Sequence, residues 1–198
     1  IEQAINPQKN NLFFEIGPGT GALTEKLMSQ NIHIVAMDID KKNIDLLGQK
    51  YDSSKHQFIH GNILKESLNF LSSKKHRIVG NLPYNISTQI ILKLVKYFNA
   101  IEDMHFLVQK EVAEKIAGKV GTKSWGKLAI KIAAFFDSEI LFDVPPEAFD
   151  IKPKVNSSFI RLMPNKNLKE NINQKDNFFK LIDLAFASRR KNIKNNLK

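Results

Sequence analysis

Short apolar runs alternate with amphipathic stretches along most of the chain. Residues 11–16, 32–37, 58–60, 77–80 and 104–108 are apolar runs of strand length. Between them, apolar residues fall at helical spacing. Ala22, Leu23, Leu27 and Met28 form one such face, Ile44, Leu47 and Tyr51 a second, and Ile90, Ile91, Leu94, Val95 and Phe98 a third. Asp40 stands where it can cap the second. Val112, Ala113, Ile116 and Ala117 predict a further helix stopped by Gly118, and residues 127–136 another. Residues 118–126 read as a mobile loop with an exposed Trp125. Two late strands, 139–144 and 155–163, have no helix between them, only a link with Pro145, Pro146, Phe149 and Pro153. Strands alternating with helices predict an α/β sheet, mostly parallel. The late pair predicts a hairpin carrying one antiparallel strand. Residues 165–175 are polar and read as a linker. Phe178, Leu181, Ile182 and Ala185 then start a helix capped by Asp176. The predicted division is 1–164 for the α/β domain and 165–198 for the start of a small helical lobe, expected to be cut short.

The turn after the fourth run is Asn81-Leu82-Pro83-Tyr84-Asn85. In open α/β sheets, ligands bind outside the carboxyl ends of the strands, and this turn falls there. Asn offers an acceptor oxygen and an NH₂ donor. Pro fixes the turn and removes a backbone donor, so carbonyls can face the site. Tyr offers a flat face to a flat ligand. These features suit methyl transfer to an exocyclic amine on a base. Such an amine is a poor nucleophile, because its lone pair is delocalised into the ring. Two acceptors on its N–H bonds, the Asn81 side-chain oxygen and a backbone carbonyl near Leu82, pull it toward tetrahedral geometry. That is positioning and electrostatic catalysis, with no covalent enzyme intermediate. Alone, the same residues also describe an ordinary Asn-Pro turn beside a core Tyr.

Residues 15–21, Glu-Ile-Gly-Pro-Gly-Thr-Gly, join the first strand to the first helix. Glycines there let backbone approach a ligand. Gly17, Gly19 and Ala22 also fit a loose dinucleotide pattern, so this loop alone leaves a nicotinamide cofactor in competition. Asp38 ends the second strand near the usual distance for an acid that holds a ribose diol; it also reads as a helix cap. Asn62, after the third strand, can accept from an adenine amine or serve as a turn residue beside Gly61. Together these loops describe a site for an adenosine-containing cofactor. The turn at Asn81 supplies nothing suited to hydride chemistry and does suit amine methylation.

Charge narrows the partner. The 198 residues carry 30 Lys plus Arg against 20 Asp plus Glu, a net +10, which favours a polyanion. Basic residues cluster without an acid at Arg189, Arg190, Lys191, Lys194 and Lys198, the expected RNA-binding segment. The absence of Cys excludes a disulfide frame and a thiolate metal site, and fits a reducing cytoplasm. No apolar run approaches the length of a membrane helix. His56 and His60 are four apart but flank a strand and lack partners, so no metal is expected.

In order along the chain, these segments resemble one family, the small-subunit ribosomal RNA adenine dimethyltransferases of the KsgA type. Residues 15–24 (EIGPGTGALT) look like its cofactor loop and 81–88 (NLPYNIST) like its catalytic loop. Residues 5–9, 103–106, 109–112, 144–155 and Phe186 with Arg189, Arg190 and Lys191 are also similar. The resemblance implies a Rossmann-like S-adenosylmethionine-dependent methyltransferase sheet with a small C-terminal helical lobe. It implies dimethylation of N6 of two adjacent adenines near the 3′ end of small-subunit (16S) ribosomal RNA during ribosome biogenesis, by a cytoplasmic monomer. Gly17, Gly19, Asp38, Asn62 and Asn81 carry over as cofactor contacts, and Asn81, Leu82 and Tyr84 as contacts to the target base. Phe149 would stack on that base from the other side, a flipped base held between aromatics; otherwise it plugs the core after a Pro turn.

The family usually has Glu at Asp38 and Asp at Asn62. The shorter acid can still bind a diol. The amide can still accept from adenine but without charge, so weaker cofactor binding is expected. The family's N-terminal Gln-x-Phe-Leu stretch has no counterpart here. The erythromycin-resistance methyltransferases of large-subunit RNA share the chemistry, though Gly17-Pro18-Gly19 and Asn81-Leu82 lean to the small-subunit group. A DNA adenine methyltransferase fits less well. A non-catalytic ribosome-assembly factor on the same fold needs no intact site.

Overall fold

The apolar runs pair edge to edge as expected. The computed structural model describes residues 1–52, 54–165, 174–188 and 191–197. Strand β1 (Leu12–Ile16) lies between β2 (His33–Asp38) and β4 (His76–Asn81). β3 (Gln57–His60) extends the sheet beyond β2, and β5 (Ile101–Gln109) extends it beyond β4, all parallel. β6 (Phe136–Val144) and β7 (Ser157–Pro164) form the hairpin, with β7 antiparallel to both β5 and β6. The order is β3-β2-β1-β4-β5-β7-β6.

Central strands are buried on both faces, so they read as continuous apolar runs. Phe13 and Phe14 are adjacent in β1, point to opposite faces, and are both fully buried. On one face Phe14, Ile16 and Ile78 pack with Ile90, Ile91 and Leu94 of α4 (Ser87–Leu94) and Ile116 of α5 (Lys110–Ile116). On the other, Phe13, Ile34, Val79 and Phe159 pack with Ile5 of α1 (Glu2–Ile5) and Leu27 of α2 (Ala22–Met28). α3 (Lys41–Lys50) starts as expected: the Asp40 side chain accepts from the Lys42 amide at 2.9 Å.

Arg77 is the second residue of β4, at the end of the sheet where the parallel strands begin. Its guanidinium donates to the Asp103 carboxylate of β5 at 2.7–3.1 Å, and to the carbonyls of Ile5 (2.6 Å) and Asn6 (3.1 Å) where α1 ends. Both charges are buried. This pair fastens α1, an element that helical spacing had not predicted, to the bottom of the sheet.

Three further expectations change. Helix α6 (Lys127–Ala133) ends early, because Phe135 and Phe136 turn into the core and β6 begins there. Trp125 is half-buried, its amide donating to the Thr122 carbonyl. Helix α7 (Lys175–Ala185) has Gln174 at its cap position; Asp176 lies in the first turn and pairs with Lys96 at 3.0 Å. α7 docks through Phe178 and Phe179, whose rings meet Phe135 edge-on at 6.1 and 6.2 Å. The buried Lys131 ammonium of α6 pairs with Asp183 at 2.8 Å and lies 5.0 Å from the Phe179 ring. A short α8 (Ile193–Asn196) follows.

Candidate active site

The carboxyl ends of β1, β2 and β4 bring the predicted loops together. Between β1 and α2, Gly17, Gly19 and Gly21 take φ of 67°, 56° and 95°, a left-handed backbone that residues with side chains rarely adopt. Nothing lies within 4 Å of where a Cβ on Gly19 would stand, so the loop faces open space. Under it, the buried Glu15 carboxylate accepts from the Thr24 hydroxyl at 2.7 Å. Burial pushes the Glu15 carboxyl up to about 7; the Thr24 bond opposes this and the Asp38 charge adds to it.

Asp38 ends β2, buried. One carboxylate oxygen accepts from the Gly19 amide (3.0 Å) and the Asn43 amide group (3.2 Å), the other from the Asp40 backbone (2.8 Å). It therefore ties the strand end to the glycine-rich loop, while capping falls to Asp40. Ile39 next to it is 68% exposed, an apolar surface at the rim. Its carbonyl meets the His60 ring at 3.1 Å, so His60 has a backbone partner after all. The Asn62 Oδ1 accepts from the Leu64 amide at 2.9 Å. That bond fixes the amide's orientation and leaves its NH₂ and the second lone pair of Oδ1 for a ligand. Among the described residues no group of three His, Asp or Glu side chains could hold a metal ion.

The Asn81 turn stands beside the glycine loop. Close approach is possible because Gly80 has no side chain: a Cβ there would sit 2.5 Å from the Ile16 carbonyl. A Cβ on Gly17 would come 3.9 Å from the Asn81 carbonyl. Asn81 is exposed, while Leu82 is buried and its amide donates to Leu107 at 3.1 Å. No described group donates to the Leu82 carbonyl. The Tyr84 hydroxyl reaches across the end of β5 to the buried Ser157 hydroxyl, 2.5 Å away. Phe149 follows the turn at Pro146–Ala148, half-buried against the cluster that holds Leu107 and Phe159. Glu15, Ile39, Gly80 and Ser157 escaped the sequence reading. Glu15 alone left a signal, as the acid just before the glycine run. Lys191 and Lys194 are exposed, and Arg189 and Arg190 lie outside the described residues.

The profile of the ribosomal RNA adenine dimethylase family matches residues 1–198. The chain belongs to that family. Ribosomal RNA small subunit methyltransferase A of Neisseria gonorrhoeae is 40% identical over 198 residues, all of this chain and 76% of that protein. A dimethyladenosine transferase from Plasmodium falciparum superposes with a TM-score of 0.84 and 25% identity, covering 98% of this chain and 70% of that one. The 23S rRNA methyltransferase ErmE shares the fold, with a TM-score of 0.77 and 24% identity over 99% of this chain and 78% of that one. A dimethylase of this family takes its methyl groups from S-adenosylmethionine. The residues present fit that group: an open glycine loop, an acid fixed at its edge and an apolar rim at Ile39.

Proposed function

We propose that this chain transfers methyl groups from S-adenosylmethionine to N6 of each of two adjacent adenines in small-subunit ribosomal RNA. The observation that carries this reading is the approach of the Asn81 turn to the glycine-rich loop, permitted by Gly80. On this reading, amine acceptors stand next to the place for the methyl donor. The 40% identity to a small-subunit enzyme supports that substrate over large-subunit RNA.

Bound S-adenosylmethionine supplies a methyl group on a positively charged sulfur. The protein's part is to hold the amine. Asn81 Oδ1 and the Leu82 carbonyl accept its N–H bonds and turn the lone pair outward. Tyr84 and Phe149 grip the flipped base. Gly17, Gly19, Asp38, Asn62 and Asn81 hold the donor, with Asn62 presenting its NH₂ and one lone pair to the adenine edge. Residues from 165 onward begin a lobe that carries Arg189, Arg190, Lys191 and Lys194 to RNA phosphates. On this reading the protein works as a monomer in the cytoplasm, where subunits are assembled.

The test is transfer of labelled methyl to immature small subunits, bare large-subunit RNA and duplex DNA, with digestion to nucleosides. Dimethyladenosine from small subunits alone is expected. Label in large-subunit RNA would reassign the substrate; cofactor binding without transfer would favour an assembly factor. Asn81→Ala should abolish transfer.

A further inference from the structure

At the end of the sheet opposite Asn81, a cavity of about 360 Å³ opens where the parallel strands begin. Leu12 and Phe13 of β1, His33 to Val35 of β2, residues 54–57 and His76 of β4 line it. Its polar lining is three imidazoles, the Lys55 ammonium, a hydroxyl and an amide, with no carboxylate. A second cavity, about 390 Å³, is lined by Lys74, Lys75, Lys96, Tyr97 and Asn99 among others. The run Lys74-Lys75-His76 joins the two.

These bases are under-compensated: the Asp52 carboxylate is the acid that acts on Lys55 and His56, and it lies outside the cavity lining. Lys55, Lys74 and Lys75 make no ion pair with a described residue, and Lys96 has only the exposed Asp176. The Asp52 carboxylate accepts from the Ser54 amide. His76 spends Nδ1 on the Lys74 carbonyl at 2.9 Å, and Nδ1 of His56 is buried without a partner. Burial holds the His56 and His76 imidazoles below their ordinary range, and the nearby His33 adds to this for His56. Bases crowded around an open cavity whose lining holds no carboxylate are stabilised by an anion, which raises their proton affinity.

We propose that this end of the sheet is a second RNA-binding face. It takes backbone phosphates of a ribosomal RNA segment other than the one that carries the target adenines. One phosphate would enter the His33–His56–His76 cavity, and its neighbours would lie on Lys55, Lys74 and Lys75. His76 and Asn81 stand at the two ends of β4, five residue steps or about 17 Å apart at strand rise, too far for the flipped nucleotide itself. The inference rests on the reading of the protein as an enzyme of small-subunit RNA, whose particle offers many RNA segments to one small chain.

The experiment measures binding and methylation of small subunits across a potassium chloride series, for the full chain and a Lys55→Gln/Lys74→Gln/Lys75→Gln variant. All three lysines are exposed, so the fold is retained, and cofactor affinity serves as the control. The slope of log affinity against log salt should fall by about 2, at about 0.7 per phosphate lost. KM for subunits should rise at least tenfold at low salt, with kcat unchanged. His33→Gln/His56→Gln should weaken subunit binding further. Unchanged KM and slope, with normal methylation by the parent chain, would overturn the second face alone; failure of the parent to methylate subunits would overturn the functional reading instead. An inorganic phosphate titration followed by imidazole NMR separates the sources. His56 signals that move with phosphate while the lysine variant binds subunits normally would mean a small phosphate ligand, and would also overturn the RNA face.

Discussion

The Asp38 carboxylate accepts the Gly19 amide at 3.0 Å, so the acid at the end of β2 sets the shape of the glycine-rich loop. The same carboxylate takes two more donors, from Asp40 and Asn43. Asp38→Ala would leave all three unpaired and free the loop. Hydrogen bonds to charged groups contribute about 1.5–3 kcal/mol each, and about 1.4 kcal/mol is tenfold in affinity. The expected result is a 10- to 100-fold weaker Kd for S-adenosylmethionine by calorimetry. An unchanged Kd would mean that Asp38 matters only to the local turn.

Glu15 gives the protein a pH dependence of unusual sign for a carboxylate. Its folded value of about 7 lies above the ordinary 4.5, so the native state holds a proton that the unfolded chain releases. Stability from this group is complete below pH 4.5 and lost as pH rises to 7, about 3 kcal/mol in all. Glu15→Gln should flatten that part of the curve. Urea melts of the cofactor-free protein from pH 4.5 to 8 would show it, and identical slopes for parent and variant would refute it.

Arg77→Met should be among the most destabilising substitutions in the chain. It leaves the Asp103 charge buried and removes the donors that hold the carbonyls of Ile5 and Asn6. Breaking one partner of a buried pair costs about 3–5 kcal/mol, whereas replacing both by apolar residues costs far less. Arg77→Met with Asp103→Leu should therefore recover much of the loss in chemical denaturation. A double variant as unstable as the sum of its parts would contradict this.

Local patterns carried most of this architecture. The two-sided burial of β1 is visible in Leu-Phe-Phe, the Asp40 cap in its position, and the β6–β7 hairpin in the missing helix between the two runs. Errors arose where apolar sequence is continuous: from Leu128 to Phe136 nothing marks the switch from helix to strand, and packing against Phe98 and the α7 aromatics decides it. Long-range partners were illegible in principle. Arg77 meets Ile5 across 72 positions, and Tyr84 meets Ser157 across 73. Asn62 starts a turn, one of the two readings its sequence position allowed, but its bond to Leu64 depends on backbone direction that side-chain identity does not encode.

The Tyr84–Ser157 contact gives the last prediction. A ring that stacks on a base works best when its plane is fixed before the base arrives, because ordering it on binding costs conformational entropy. Ser157 is fully buried at the start of β7 and grips the Tyr84 hydroxyl from beyond β5. Ser157→Ala should lower turnover roughly 3- to 10-fold, the loss of about one net hydrogen bond, and leave the cofactor Kd untouched. Monomethyladenosine should accumulate, because a loosely held base leaves before the second transfer. Tyr84→Phe removes the other half of the same bond, so the double variant should be no slower than either single one. Ser157→Thr, which keeps the hydroxyl, should restore part of the rate. Losses that multiply in the double variant would show that the two hydroxyls act separately, and Ser157 would then be only a residue of the core.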